Sequence, residues 1–120
     1  MLIFILNTGA TFFYWYYRLW WFDMLMHFLG GAFVVVAGSY VFFNYAKKYK
    51  KQYSYLPFVV TTLIFVSIGW EIYELFVDGV FQAQAMHLQD SLSDLCFDFA
   101  GGSSALLYFL RRTSILSVNK

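Results

Sequence analysis

Long apolar runs alternate with short polar breaks along this chain. Residues 1–17 carry no charge, residues 20–46 form a second apolar segment interrupted by Asp23 and His27, and residues 56–77 form a third, entered at Pro57. Proline there suits a first helical turn, whose N–H groups have no intrahelical partner. A fourth run, Ser91 to Leu110, is long enough to span a bilayer but contains Asp94 and Asp98, so it needs other protein against its polar face. At about 1.5 Å per residue the first stretch reaches roughly 25 Å, enough for a short or tilted span. A signal peptide fits it less well, because no basic residue precedes the apolar stretch and no small-x-small cleavage site follows it. The pattern predicts an all-α membrane protein, a compact bundle of about four transmembrane helices near 2–17, 20–46, 56–77 and 91–110. A single transmembrane domain is expected over 1–120.

Composition narrows the alternatives. Hydrophobic residues make up 61% of the 120 and charged residues 12%, more apolar side chain than so short a soluble chain can bury. A formal charge of +1 offers no electrostatic footprint for nucleic acid. One cysteine cannot build a disulfide framework, and Cys96 reads as a small buried apolar residue.

Charge sets the expected orientation. Lys47, Lys48, Lys50 and Lys51 crowd the connection between the second and third spans, and Arg111, Arg112 and Lys120 follow the fourth; only Arg18 lies elsewhere. Basic residues concentrate on the cytoplasmic side, so both termini are expected in the cytoplasm, with the loops at 18–22 and 78–90 outside. Tyr14 to Trp21 would then form an outer aromatic belt, and Tyr45, Tyr49, Tyr53 and Tyr55 an inner one.

On this topology all seven acids, Asp23, Glu71, Glu74, Asp78, Asp90, Asp94 and Asp98, fall in the outer half of a span or in the outer loop. Asp23 and His27 are four residues apart. Glu71, Glu74 and Asp78 follow at i, i+3 and i+7, and Asp90, Asp94 and Asp98 at i, i+4 and i+8, with His87 a turn earlier. Each set shares one helical face. Such stripes cannot point into lipid, so they are expected to converge. The converged acids need protons, a divalent ion, or water and a cationic ligand to neutralise them. Oxygen donors in excess with one or two imidazoles suit Mg, Mn, Ca or Zn. Simpler roles compete at single positions. Asp23 can satisfy His27, Asp78 with Gly79 can make the turn that ends the third span, and Asp90 with Ser91 and Ser93 can cap the fourth. Gly30, Gly31, Gly101 and Gly102 read as close-packing positions between helices.

The segment Phe22-Asp23-Met24-Leu25-Met26-His27-Phe28 resembles the Asp-x-x-x-His-Phe opening of VanZ-like membrane proteins and of the related YjdF-type proteins. The likeness continues through Trp70-Glu71-Ile72-Tyr73-Glu74 and through Ser93-Asp94-Leu95-Cys96-Phe97-Asp98-Phe99-Ala100-Gly101, similar to their Asp-x-x-x-Asn-x-x-Gly helix. It covers most of residues 20–110. Where VanZ-like chains have Gln and Asn, this chain has Glu74 and Asp98, a more acidic site that favours the YjdF-type side. The resemblance implies a compact helical membrane fold and a polar site of Asp23, His27, Glu71, Asp94 and Asp98.

Three functions stay open on the sequence. The first is a non-catalytic factor of the cell envelope that binds a divalent cation on the extracytoplasmic side. The second is a metal-assisted hydrolase or transferase acting on a lipid head group or lipid-linked precursor, with Asp23, His27, Glu71, Asp94 and Asp98 as ligands and Glu74 as general base. The third is cation or proton transport, for which four short helices would need to assemble as a homo-oligomer.

Overall fold

The computed structural model describes residues 2–49, 55–81 and 88–118. Five helices follow one another, α1 (Leu2–Phe13), α2 (Trp15–Arg18), α3 (Phe22–Tyr49), α4 (Tyr55–Phe81) and α5 (Leu88–Val118), and no strand occurs among the described residues. The three long helices run antiparallel in sequence, and α3 lies against both α4 and α5. The structure as a whole measures 55 × 24 × 23 Å.

Two segments, Phe22–Tyr45 and Tyr55–Phe76, are long and apolar enough to cross a membrane. Only 33% and 22% of these stretches are buried within the protein, whereas the core helix of a soluble domain is mostly enclosed. Large apolar side chains face outward along them, among them Phe33, Phe43, Phe65, Ile72 and Phe76. Conversely His27, Ser39, Ser67, Glu71, Asp94 and Asp98 are buried, as are Val35, Val59 and Leu63. Polar groups inside and apolar groups outside match a hydrocarbon surround rather than water.

Close packing between α3 and α5 depends on missing side chains. A Cβ on Gly31 would fall onto the main-chain carbonyl of Asp98, and one on Gly101 onto the carbonyl of Phe28. At Gly102 a Cβ would stand 2.5 Å from Leu63 Cδ2 and 3.3 Å from Val35 Cγ2, so this glycine leaves the notch in which α4 meets the other two helices. Gly30 is different, for a Cβ there meets Asp98 Oδ1 at an ordinary 3.9 Å. Around the notch Val35, Val59 and Leu63 form an apolar cluster joined by Val34, Tyr55, Ala105 and Leu106.

A polar clasp holds α4 to α3 further along. Ser39 donates to the Val35 carbonyl at 2.6 Å, which uses its only hydrogen, so the Tyr55 hydroxyl donates to Ser39 at 2.8 Å. Tyr55 also stacks on Phe43 and meets Phe42 edge-on.

Three sequence expectations change here. The uncharged stretch 2–17 is not one helix, since α1 stops after 12 residues, or about 18 Å, and Tyr14 turns left-handed at φ 56°. That conformation is uncommon for a bulky residue, and it redirects the chain into α2. Tyr16 then donates to Asn7 Oδ1 at 2.7 Å. The turn expected at Asp78-Gly79 does not form, because α4 runs on to Phe81. Cys96 is exposed rather than buried. It lies two residues from both Asp94 and Asp98, roughly 200° round the helix, so burying the acids turns it outward.

Candidate functional site

Antiparallel succession brings the start of α3, the last third of α4 and the first third of α5 to one end of the bundle. Helical spacing does the rest. Asp23 and His27 share a face of α3, Glu71 and Glu74 a face of α4, and Asp94 and Asp98 a face of α5, and the three faces meet. Apart from Arg18 at the end of α2, the basic residues within the described helices end up far away, with Lys47 and Lys48 in the last turn of α3 and Arg111 and Arg112 late in α5.

His27 is the hub. Its Nε2 lies 3.9 Å from Asp23 Oδ1, 3.9 Å from Glu74 Oε2 and 3.9 Å from Asp94 Oδ2. Its Nδ1 faces Asp98 Oδ1 at 3.5 Å. Asp98 is therefore on the opposite ring nitrogen from the other carboxylates. Two sets of donors have all their ligand atoms within 4.8 Å of one another, namely Asp23, His27 and Asp94, and His27, Glu71 and Glu74.

These separations are too long for hydrogen bonds, which need about 2.7–3.2 Å between nitrogen and oxygen. The spacing within each of the two groups, which have His27 in common, suits donors around an ion. With bonds of about 2.1–2.4 Å, two ligands of a shared cation stand about 3–4.5 Å apart, depending on the angle between them. Burial sharpens the contrast, because His27 Nδ1 and Glu71 Oε1 are both enclosed and without a hydrogen-bond partner among the described residues. A buried polar atom left unpaired costs on the order of 1–3 kcal/mol, more when charged. Asp23 does not satisfy His27 by a hydrogen bond at this distance.

The site has a floor and a mouth. His27, Glu71, Asp94 and Asp98 are buried, whereas the side chains of Asp23 and Glu74 are 37% and 36% exposed. An ion held by the floor would thus meet its surroundings between Asp23 and Glu74. Beside the mouth, Phe22 is buried against the rings of Trp15 and Tyr16. Tyr16 comes close enough to Asp23 and Glu74 to interact with both electrostatically. Sequence reading placed Tyr16 only in an aromatic belt, since one tyrosine among so many carries no distinguishing signal.

Asp90 belongs to neither ligand group but stands close enough to Asp23 and Asp94 to interact with both electrostatically. It is exposed in the first turn of α5, where a carboxylate favours the helix N-terminus, but α5 already begins at Leu88, so Asp90 lies inside the helix rather than ahead of it. The side chain of Asp78, and His87 altogether, lie outside the described residues. All six residues that were expected to share a pocket do lie together.

No curated protein and no solved structure matches the chain. One family model does, over residues 1–114, a range that includes every member of the His27 cluster. The chain belongs to the family described as Predicted membrane protein (DUF2238).

Proposed function

We propose that this membrane protein binds one divalent cation in the His27 cluster and serves as a cation-stabilised factor of the cell envelope. The observation that carries this reading is the set of three carboxylate oxygens, each 3.9 Å from one imidazole nitrogen, beside the buried and unpaired Glu71 Oε1. A cation between them would satisfy the donors that hydrogen bonds leave unmet and neutralise like charges that α3, α4 and α5 hold together. One imidazole among carboxylates suits Mn or Zn, and Mg or Ca with more oxygen and water.

The orientation follows from charge. With the lysines of 47–51 and the arginines of 111–112 in the cytoplasm, the acidic end is extracytoplasmic. In this reading α5 completes the bundle as a span shielded by α3, and α1 with α2 forms a short first crossing that leaves both termini cytoplasmic. The likeness of residues 20–110 to VanZ-like and YjdF-type proteins supports a compact helical membrane fold with a polar site.

One feature favours a second reading, catalysis. Catalytic metal sites keep a coordination position open, and the exposed mouth between Asp23 and Glu74 supplies one. Glu74 would there act as general base on a metal-bound water, with a lipid head group or lipid-linked precursor as substrate.

Metal analysis of the detergent-purified protein tests the common element. About one divalent ion per chain, and a melting temperature lowered by chelator, are expected. A metal-free protein that ignores both chelator and added Zn or Mn would overturn the reading.

A further inference from the structure

We propose that Asp98 is a positioning residue, which accepts the Nδ1–H of His27 and so presents Nε2 to Asp23, Glu74 and Asp94. The inference rests on the cation-site reading above and assigns Asp98 a place outside the ligand set.

Three observations carry it. Asp98 Oδ1 is 3.5 Å from Nδ1, while the other three carboxylates gather around Nε2. Asp98 belongs to neither group of donors whose ligand atoms lie within 4.8 Å of one another. Its backbone is also pinned. The Asp98 carbonyl rests on Gly31, one turn after His27, and the Phe28 carbonyl rests on Gly101, so two main-chain contacts bracket the His27–Asp98 pair.

The chemistry requires such a partner. A neutral imidazole carries one proton, and only the nitrogen without it can bind a metal. With Nδ1 buried and otherwise unpartnered among the described residues, nothing but Asp98 is in place to hold the proton there. A small rotation of the ring would shorten 3.5 Å to a hydrogen bond once Nε2 engages a cation. A carboxylate behind a ligating histidine fixes its tautomer and raises its basicity, and losing such a partner typically lowers metal affinity about 10- to 100-fold.

The test uses full-length protein labelled with ¹⁵N-histidine, in a His87→Gln background so that His27 alone reports, with Zn²⁺ as the probe. Expected are zinc on Nε2 and a proton on Nδ1 in the parent, a loss of zinc affinity of about 10- to 100-fold in Asp98→Ala, and recovery of most of it in Asp98→Asn, whose amide oxygen still accepts. Thermal melts establish that each variant is folded, and Asp98→Asn carries the test if Asp98→Ala is not. Parental zinc affinity in Asp98→Ala, or zinc on Nδ1, would overturn the positioning role while leaving the cation site intact. Absence of zinc binding in the parent would instead remove the site. In that event the zinc-free neutral ring decides the role of Asp98. A proton on Nδ1 that is redistributed in Asp98→Ala supports it, and an unchanged tautomer overturns it.

Discussion

The main-chain carbonyl of Asp98 lies against the bare α-carbon of Gly31, so closely that a methyl group on that glycine would overlap it. The reciprocal contact, Phe28 carbonyl on Gly101, occurs one turn along α5. Together they set the distance between α3 and α5 at the level where His27 meets Asp98.

Glycine substitutions should accordingly split by position. Gly31→Ala and Gly101→Leu force main chain apart, and ordinary overpacking of this kind costs about 1–3 kcal/mol. At Gly9 and Gly69 a Cβ meets nothing within 4 Å, so alanine there should be neutral or stabilising, by up to about 1 kcal/mol from helix propensity. Thermal melts in detergent check this. Equal stability for Gly31→Ala and Gly69→Ala would show that the α3–α5 approach is not set by glycine.

Helical spacing made the site legible before the fold was. Asp23 with His27, Glu71 with Glu74, and Asp94 with Asp98 each had to share a face, and one antiparallel bundle suffices to join the faces. Spacing could not divide the roles. Asp94 and Asp98 are equivalent in pattern, yet they face Nε2 and Nδ1 of His27, a distinction set by how deep α5 sits against Gly31. Hydropathy likewise could not locate the break at Tyr14, where uncharged sequence continues but the backbone turns left-handed. The expectation for Cys96 failed because burial in a membrane bundle follows the polar face, and cysteine lay opposite it.

The clasp at Ser39 gives a prediction at the end away from the acids. Tyr55→Phe removes the donor to a buried hydroxyl, and Ser39→Ala removes that acceptor, so each should lower stability by about 0.5–1.5 kcal/mol. Because the two groups act on each other, the double variant should lose less than the sum. Strict additivity in a double-mutant cycle would mean that the hydrogen bond contributes nothing.

Orientation is checked by a single reporter. In a Cys96→Ser background, which removes the exposed native thiol, Gln84→Cys should react with a membrane-impermeant maleimide added to intact cells. Labelling only after the cytoplasm is opened would place the acidic end inside, and the assignment based on Lys47, Lys48, Lys50, Lys51, Arg111 and Arg112 would fail.

Asp94→Asn distinguishes a cation from protons as the agent that neutralises the cluster. Asp94 is buried and points at His27 Nε2 from α5, the helix that Glu74 and Asp23 do not belong to. If a cation ties the helices together, the substitution removes a charged ligand. Metal affinity should then fall, and the added stability at saturating metal, about 2.7 kcal/mol at a free concentration near 100 times Kd, should appear only at higher metal. Acid should act in the same direction, since the carboxylates and imidazole must shed their protons before they bind; occupancy is retained at higher pH and lost as pH falls. If protons alone neutralise the site, Asp94→Asn simply relieves repulsion among carboxylates. The variant would then melt at or above the parent, with or without chelator, and acid would stabilise both proteins rather than strip an ion from one. Melting curves of parent and Asp94→Asn, with Zn or Mn and with chelator at two pH values, separate these outcomes, and a stabilised Asp94→Asn that ignores metal would eliminate the cation site.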